Sequence, residues 1–497
     1  MSGGNLYRRF EEVFHTHAER CAIRSADGSL QLTFGDLGRG AARYANALAT
    51  LGVGKGDRVT VQVEKSIANV LLYLAVMKAG AVYQPLNTAY TAAEVSYFVE
   101  DAEPKLIVCD PARQAEMRTL ADRCNVFAVV NLDARGEGSL ATLTAGMDDR
   151  HETAERAADD LAGLLYTSGT TGRSKGAMIT HGNLVSNAET LVDLWRITHD
   201  DTLLHALPIF HVHGLYVALN TAFLSAASMV WFDKFEAKAM IAAMPRATLM
   251  MGVPTFYTRL LSEEGFTRQA ARGMRLFISG SAPLLAETHR AFAARTGHAI
   301  LERYGMTETG MITSNPHDGA RVPGTVGFAL PGVSVRIEGN QPGVLEVKGP
   351  NVFKGYWRMP EKTREEFTAD QYFITGDVGT IAEDGRVTIV GRAKDLIITG
   401  GFNVYPKEIE DVLDALSGIG ESAVIGVPHP DFGEGVVAVV TASGPLAPEA
   451  EIIATLSQTL AKFKVPKRII VEAELPRNAM GKVQKAELRR RFAGIFG

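Results

Sequence analysis

The chain has 497 residues, which is enough for two or more domains at about 100–200 residues per domain. Hydrophobic residues make up 46% and charged residues 22% of the chain, as in an ordinary globular protein. The formal net charge of -5 gives no electrostatic basis for binding nucleic acid or an anionic membrane surface.

The N-terminal residues and the cysteines indicate the cellular compartment. The first 20 residues lack the apolar core of a secretory signal, and the apolar run at 70–77 is far shorter than the ~20 residues that span a bilayer. The cysteines are Cys21, Cys109 and Cys124, too few and too widely spaced for a disulfide framework or a zinc site. Cys109 ends an apolar run and is predicted to be a buried thiol. We therefore expect a cytoplasmic protein.

The first predicted elements are a helix and a strand. Residues 33–36 (TFGD) have the spacing of a capping box, which predicts a helix that begins there and continues to Gly52. Residues 57–63 alternate between polar and apolar side chains, which predicts a half-buried strand. Short apolar runs at 106–108, 164–166 and 276–278 each end at small, polar or turn-forming residues, which is typical of buried strands.

The order of these elements predicts the fold class and the domains. Strands that alternate with helices predict an α/β fold with mainly parallel sheets in an N-terminal domain over residues 1–393. Within it, residues 322–393 become β-rich and glycine-punctuated, which predicts a smaller β subdomain. Residues 394–497 follow with a compact α+β pattern whose size is within the usual domain range. The boundary near residue 394 rests on this change of pattern alone.

Residues 166–176 (YTSGTTGRSKG) are the strongest local signal in the chain. They follow an apolar strand, and their glycines allow backbone N–H groups to close around a phosphate. Hydroxyl side chains add donors, and Lys175 can offset phosphate charge. A flexible surface loop is the simpler interpretation. A P-loop NTPase does not fit, because no Gly-Lys-Ser/Thr occurs at the spacing that its motif requires.

Four further segments are weak individually and informative together. They are 304–308 (YGMTE), 375–377 (TGD), 391–395 (GRAKD) and 481–485 (GKVQK). Each alone would more often be a turn or a surface charge cluster. In this order, and together with 166–176, they resemble the adenylate-forming superfamily of acyl-CoA synthetases, peptide-synthetase adenylation domains and beetle luciferases. The resemblance extends over nearly the whole chain.

The resemblance implies a large N-terminal domain and a small mobile C-terminal lid, with ATP bound between them. Thr307 would contact the α-phosphate, Glu308 would hold Mg²⁺, and Asp377 would bind the ribose hydroxyls with Arg392 nearby. A hard cation prefers carboxylate oxygen, and a ribose diol suits a carboxylate acceptor. The residues that would embrace the β- and γ-phosphates are Thr167, Ser168, Gly169, Thr170, Thr171, Gly172 and Lys175. Those that would flank the adenine are Ser279, Gly280, Ser281, Ala282, Glu302, Arg303 and Tyr304, the last stacked on the base.

The same resemblance implies roles for the lid and for the path of the thiol. Lys482 would contact the substrate carboxylate and the α-phosphate, and Lys394 would be the hinge of the lid. Gly400 and Gly401 would line the tunnel for the pantetheine arm of coenzyme A, where the absence of Cβ leaves room for a thin chain. His211 would gate that tunnel. With the histidine two residues later it is also compatible with a metal site, although no third ligand lies nearby in the sequence.

Within the superfamily, extended stretches resemble malonyl-CoA synthetases. The stretches are 62–66 (QVEKS), 85–90 (PLNTAY), 252–257 (GVPTFY), 279–284 (SGSAPL) and 349–357 (GPNVFKGYW). Malonate has a second carboxylate that must stay charged inside its pocket. Because an unpaired buried charge costs several kcal/mol, a cation is required there.

The candidates for that pocket are two arginines and three smaller features. Arg259 is the first candidate cation, because a guanidinium can grip a carboxylate with two bonds, and Arg290 is the second. Ser281 would add a donor, and Met306 would line the pocket. Residues 310–312 (GMI) depart from the asparagines that malonyl-CoA synthetases tend to have, and a more apolar wall at this position would admit methylmalonate.

The implied function is an AMP-forming acid–thiol ligase that makes malonyl-CoA from the free dicarboxylate, ATP and coenzyme A. One alternative is a synthetase for another small carboxylate, and another is an adenylation enzyme that loads a carrier protein. A nucleotide-binding regulator is a third, and the presence of Lys482, Glu308 and Asp377 argues against it. The expected partners are small molecules, with neither nucleic acid nor a membrane among them.

Overall fold

The computed structural model describes residues 4–167, 174–478 and 481–497, apart from the side chain of Asn403. The strands are β1 Cys21–Ser25, β2 Gln31–Thr33, β3 Arg58–Gln62, β4 Val82–Pro85, β5 Leu106–Cys109, β6 Ala128–Asn131, β7 Leu161–Thr167, β8 Lys175–Thr180, β9 Thr202–His205, β10 Ser228–Trp231, β11 Leu249–Gly252, β12 Leu276–Ser279, β13 Leu301–Met306, β14 Gly310–Ser314, β15 Phe328–Ala329, β16 Ser334–Ile337, β17 Gly343–Lys348, β18 Phe373–Ile381, β19 Val387–Arg392, β20 Ile397–Thr399, β21 Phe402–Val404, β22 Ile419–His429, β23 Gly433–Ala442 and β24 Arg468–Val471. The α-helices are α1 Leu6–Thr16, α2 Phe34–Thr50, α3 Ile67–Lys78, α4 Ala92–Ala102, α5 Gln114–Cys124, α6 Ser139–Ala145, α7 His181–Trp195, α8 Asn220–Ser225, α9 Ala237–Ala243, α10 Pro254–Leu261, α11 Ala286–Thr296, α12 Pro360–Glu365, α13 Pro406–Asp414, α14 Glu449–Thr459 and α15 Lys485–Arg491. Within this described part of the chain, no helix is long and apolar enough to cross a membrane.

Two large sheets form most of the N-terminal part of the chain. In the described residues, one has nine strands in the order β15-β14-β13-β12-β11-β9-β10-β1-β2, and those from β13 to β1 run parallel. The other has six described strands in the order β6-β5-β3-β4-β7-β8, with β8 antiparallel to β7. One continuous hydrophobic core takes side chains from both sheets. The predicted α/β fold with mainly parallel sheets is confirmed.

Local sequence signals explain where the first elements begin. The Thr33 hydroxyl accepts from the Asp36 N–H and the Asp36 carboxylate accepts from the Thr33 N–H, so the predicted capping box starts α2. The strand predicted at 57–63 is β3, but the expectation that it is half-buried is wrong. Its residues from Val59 to Gln62 are all buried, because β3 lies between β4 and β5 and both of its faces are covered. Its polar side chains find partners inside, and Thr60 donates to Gln84 at 2.6 Å.

The remaining sheets belong to the β-rich segment and the C-terminal part. The segment predicted at 322–393 contains the antiparallel order β16-β17-β18-β19. The C-terminal sheet has the order β21-β20-β23-β22, with β24 parallel to β23, and α13 and α15 pack against β22. Apolar side chains of this part form their own clusters, separate from the main core. These separate cores support a boundary near residue 394, which stays a prediction.

One buried carboxylate ties together the amino ends of three neighbouring parallel strands. Asp201 precedes β9, Thr248 precedes β11 and Arg275 precedes β12. Asp201 accepts from Thr248 Oγ1 at 2.7 Å and from Arg275 Nε and Nη2 at 2.7 and 2.6 Å, as well as from the Thr198 N–H at 2.9 Å. Burial alone raises the pKa of Asp201, but these bonds, led by the pair with Arg275, hold it below its usual value.

We predict that Asp201→Asn lowers the free energy of unfolding by about 1–3 kcal/mol at pH 7, because Arg275 loses its charged acceptor. The pKa of Asp201 is lower in the folded than in the unfolded protein, so its carboxylate stabilises the fold at pH values above the unfolded-state pKa. This stabilisation is lost as the pH falls through the folded-state pKa. The difference between wild type and variant should therefore shrink below about pH 4 in urea unfolding experiments. Glu100→Gln, which breaks the exposed pair with Arg123, is the control and should cost less than about 1 kcal/mol. A difference for Asp201→Asn that is unchanged down to pH 3 would contradict the prediction.

Candidate active site

The opposite edge of the nine-stranded sheet collects the residues that the motifs predicted. At the carboxyl ends of its parallel strands, β9 ends at His205, β11 at Gly252, β12 at Ser279 and β13 at Met306. Ligands of open α/β sheets bind at this edge. Just after β12, Ser281 has φ of 72°, a left-handed conformation that is uncommon for a residue with a side chain and that tends to occur at functional sites.

Arg303 in β13 is a buried positive charge without a counter-ion among the described residues. It is 3% exposed, and its Nε and Nη2 atoms have no hydrogen-bond partner there. The guanidinium lies against Gly280, where a Cβ atom would come within 2.4 Å of Cζ, so a side chain at this position would displace the guanidinium. Burial lowers the pKa of Arg303 to about 9, with Tyr257 opposing the shift. The group is therefore still charged at neutral pH.

Two histidines lie next to this charge. His213, at the start of a π-helical turn, shares a hydrogen bond of 3.2 Å with Ser281 Oγ, and its Nε2 atom is buried without a partner in the described chain. Desolvation in the crowded cleft, and then the charges of Lys482 and Arg303, lower the pKa of His211 to about 3. Burial, and then Arg303, lower the pKa of His213 well below its usual value. Both imidazoles are neutral at pH 7, so Arg303 supplies the positive charge beside them.

The carboxylate predicted to hold Mg²⁺ is also buried. Glu308 is 5% exposed, and its Oε1 accepts from Thr167 Oγ1 and from the Tyr356 hydroxyl, each at 3.2 Å. Burial raises the pKa of Glu308. Lys175, predicted to offset phosphate charge, pairs with Glu366 Oε1 at 2.8 Å and lies 4.1 Å from the centre of the Tyr356 ring. Glu308 therefore has hydroxyl donors but no direct ion pair in the described chain, an environment that suits a hard cation.

Most of the predicted phosphate segment, namely Ser168, Gly169, Thr170, Thr171 and Gly172, lies outside the described residues. Its described flanks are informative. Thr167 ends β7 and Lys175 begins β8, and the two residues are paired directly across the antiparallel ladder. Both ends of the segment are therefore held together beside Glu308.

A third carboxylate connects three of the predicted nucleotide residues. Asp377 in β18 is 4% exposed. Its Oδ1 pairs with Arg392 Nε at 2.6 Å, and its Oδ2 accepts from the Tyr304 hydroxyl at 2.5 Å. Burial, and then the negative charge of Asp377, raise the pKa of Tyr304 well above its usual value, so the phenol remains a donor. The sequence motifs at 304–308, 375–377 and 391–395 thus meet at one point.

Lys482 brings the C-terminal part of the chain into the same cleft. Its loop is closed by a bond of 3.0 Å from the Lys482 N–H to Asn478 Oδ1, and Gly481 lies beside Thr255 at the start of α10. The Lys482 side chain is open to solvent, yet the walls of the cleft limit its hydration and lower its pKa, and Arg392 lowers it further. Asp377 and Glu308 act in the opposite direction. The lysine therefore lies within electrostatic reach of both predicted nucleotide carboxylates.

Other predicted residues lie elsewhere or in a different environment. Arg259 and Arg290 are both exposed. Their role in binding the distal carboxylate stays a prediction. Arg259 lies on α10 and Arg290 on α11, and the sequence pattern of these helices does not indicate whether an arginine is buried. Gly400 and Gly401, both with positive φ, form the turn between β20 and β21 beside Phe432.

Sequence reasoning did not identify Tyr356 as a hydrogen-bond partner of Glu308. No periodic pattern marks a phenol that bonds a carboxylate 48 residues away in the chain. The stretch 349–357 was informative only as a resemblance.

Comparisons with known proteins agree with this geometry. A family model described as AMP-binding enzyme matches residues 10–357, and a model of the AMP-binding enzyme C-terminal domain matches residues 408–482. A malonate–CoA ligase of Arabidopsis thaliana is 35% identical over 474 residues, which cover 88% of this chain and 78% of that protein.

Solved structures give a more specific comparison. The crystal structure of ATP-bound MatB from Rhodopseudomonas palustris is 54% identical, covers 100% of both chains and has a TM-score of 0.97. The apo form of the same protein, at the same identity and coverage, has a TM-score of 0.85. The present structure is therefore more similar to the ATP-bound form than to the apo form.

We predict that Glu302→Gln stabilises the protein at neutral pH. Burial raises the pKa of Glu302 to about 8, and its Oε2 atom has no partner among the described residues. Because the pKa of Glu302 is higher in the folded than in the unfolded protein, this residue destabilises the fold at pH values above the unfolded-state pKa. The loss of folding free energy grows with pH until the pH passes the folded-state pKa. At about 1.4 kcal/mol per pH unit, the glutamine should add up to about 3 kcal/mol at pH 7 and little near pH 4.5. Urea unfolding of both proteins from pH 4.5 to 8 measures this, and a gain that does not vary with pH would contradict it.

Proposed function

The chain belongs to the AMP-binding enzyme family, and on that basis we propose that it joins malonate to coenzyme A while ATP is cleaved to AMP and pyrophosphate. The relatives that support this substrate are the malonate–CoA ligase and the ATP-bound structure described above. The observation that carries the proposal within the chain itself is the unpaired guanidinium of Arg303.

Arg303 fits the second carboxylate of malonate. A buried charge without a partner is costly, and a substrate carboxylate supplies two acceptors in the geometry that a guanidinium prefers. Acetate or another monocarboxylate leaves the guanidinium unpaired, which favours dicarboxylates by differential binding. Ser281 and His213, bonded to each other and next to Arg303, offer further polar contacts. We propose these three residues as the distal carboxylate site.

Methylmalonate is the second candidate substrate. A small cavity runs behind the cleft and is lined in part by Val212, Tyr216, Thr307 and Gly310. We propose that this cavity takes the substituent on the central carbon of methylmalonate. Of the wall predicted at 310–312, only Gly310 lines this cavity, because Met311 and Ile312 are buried in the sheet.

In the first half-reaction, a carboxylate oxygen of malonate attacks the α-phosphorus of ATP, pyrophosphate leaves and malonyl-adenylate forms. Catalysis of such a step is mostly positioning and charge stabilisation. We assign Lys482 to the charge on the carboxylate and the α-phosphate, Thr307 to the α-phosphate, and Asp377 with Arg392 to the ribose. Glu308, a buried carboxylate with hydroxyl donors, fits Mg²⁺, which when bound neutralises phosphate charge.

In the second half-reaction, the sulfur of coenzyme A attacks the acyl carbon and AMP leaves. We propose that residues 394–497 act as a lid that turns about Lys394, which withdraws Lys482 and brings Gly400 and Gly401 to the thiol path. His211, neutral because of its lowered pKa, stands at the gate of that path. The closer similarity to the ATP-bound than to the apo structure supports an adenylating arrangement before the turn.

We also propose a cytoplasmic location. All three cysteines are free, as expected for a reducing compartment, and Cys109 is a fully buried thiol.

We predict that malonate gives the highest kcat/KM in a pyrophosphate-release panel of acetate, malonate, methylmalonate, succinate and a medium-chain fatty acid, with methylmalonate second. The reason is the pairing of the distal carboxylate with Arg303. Thioester formation on addition of coenzyme A separates a synthetase from an enzyme that loads a carrier protein. If acetate or the fatty acid ranked first, the dicarboxylate proposal would be wrong.

We predict that Arg303→Ala selectively harms dicarboxylates. Removing one partner of a buried charge pair costs roughly 3–5 kcal/mol, or about two to four decades in kcat/KM at roughly 1.4 kcal/mol per decade. Acetate, which makes no such pair, should change by less than about tenfold. The measurement is kcat/KM for malonate and acetate in the same pyrophosphate assay.

Arg259→Ala is the matched control, since it removes an exposed guanidinium from α10. It should leave both substrates close to wild type. Equal losses for malonate and acetate in Arg303→Ala would give Arg303 a structural role. A selective loss in Arg259→Ala alone would reassign the distal carboxylate to that exposed arginine.

A further inference from the structure

Side chains from two distant segments form hydrogen bonds with the backbone just after Thr307 and Glu308. Asn187 on α7 donates from Nδ2 to the Met311 carbonyl at 2.9 Å and accepts at Oδ1 from the Met311 N–H at 3.0 Å. Asn351 donates from Nδ2 to the carbonyls of Thr309 and Met311 at 2.8 and 3.0 Å. We call Asn187 and Asn351 the asparagine clamp.

The clamp acts at a point where the backbone is unusual. Gly310 has φ of +56°, and a Cβ atom there would come within 2.7 Å of Asn187 Oδ1. The ladder between β13 and β14 is irregular just before this turn. Because the strand pairing does not fix the turn on its own, the amide side chains supply part of its geometry. Both asparagines are buried, at 9% and 4% exposure, so water cannot substitute freely for these bonds.

The turn leads directly to the carboxylate. The Glu308 carbonyl accepts from the Phe353 N–H at 2.8 Å, two residues after Asn351. The Glu308 side chain reaches the cleft between Thr167 and Tyr356. A shift of the turn therefore moves Glu308 and Thr307 together, whereas Ser281 and Arg303 are held by other contacts.

We propose that Asn187 and Asn351 are positioning residues that set the place of the Glu308 carboxylate for the metal–nucleotide complex. This inference rests on the proposed function only in taking ATP as the nucleotide. Residues behind a metal-binding carboxylate orient it, and their loss typically costs about 10–100-fold in metal affinity or activity. Asparagine suits the role because one side chain both donates and accepts, and Asn187 uses both capacities on the same residue, Met311.

The clamp makes a prediction that separates the two half-reactions. Mn²⁺ replaces Mg²⁺ in this experiment, together with a non-hydrolysable ATP analogue, and its binding is followed by electron paramagnetic resonance. In Asn187→Ala and Asn351→Ala, the dissociation constant of Mn²⁺ should rise about 10–100-fold. Pyrophosphate release should slow by a similar factor. Thioester formation from supplied malonyl-adenylate and coenzyme A should stay within about threefold of wild type, because that step does not use the metal–ATP complex.

Asn46→Ala is the matched control. Asn46 on α2 also donates from Nδ2 to two backbone carbonyls, those of Asp148 and Arg150, at 2.8 and 2.9 Å. Its loss removes the same number of amide bonds to backbone carbonyls as loss of Asn351, and these partners lie outside both the turn at 308–311 and the segment that carries Asn351. Mn²⁺ binding and both half-reactions should therefore stay near wild type.

Asn351→Asp is the second variant, for the case in which an alanine variant fails to fold. It keeps the shape of the side chain and removes the amide donors. Equal losses in both half-reactions, unchanged Mn²⁺ binding in the clamp variants, or the same loss of Mn²⁺ binding in Asn46→Ala would overturn the inference. Failure of the wild type to use malonate would contradict the proposed function instead, because Mn²⁺ binding with the ATP analogue requires no carboxylate substrate.

Discussion

Arg303 keeps a positive charge inside the protein with no counter-ion in the described chain, and the character of the cleft depends on that charge. It helps to hold the neighbouring histidines neutral, and it acts on Lys482, whose own pKa is lowered. Its guanidinium lies in the space that a side chain at Gly280 would enter. The result is a site in which positive charge is concentrated and poorly hydrated. Such a site binds anions strongly, since water does not compete well for the same charges.

The negative groups of the site are arranged around a different point. Glu308 and Asp377 are both buried, and each is bonded by the hydroxyl of a tyrosine. Asp377 has its cation in Arg392, while Glu308 is left with hydroxyl donors. The cleft therefore separates a region for the anionic substrate from a region for the metal-bound nucleotide. Lys482, from the C-terminal part, lies within electrostatic reach of both regions.

Much of the fold could be predicted from the sequence, because its signals are local. The capping box at Thr33, the buried strands and the buried Cys109 follow from a few neighbouring residues. The same local view failed for β3, whose alternating polar residues pair inside a covered sheet. It did not single out the buried guanidinium of Arg303, because no pattern in one dimension reports exposure. The contacts of Tyr356 and Asn351 join residues that are 48 and 40 positions apart, which only the folded chain brings together.

The Asp201 network and the Arg303 cleft lie at opposite ends of the same parallel strands. Strands of four residues at about 3.3 Å per residue keep the two sites roughly 10 Å or more apart. At such distances the effects of substitutions usually add without interacting. Descendants of this chain can therefore vary the carboxyl edge and acquire new acyl substrates while the amino edge continues to secure folding. The architecture makes the enzyme evolvable, because selection on substrate choice and selection on stability act on different residues.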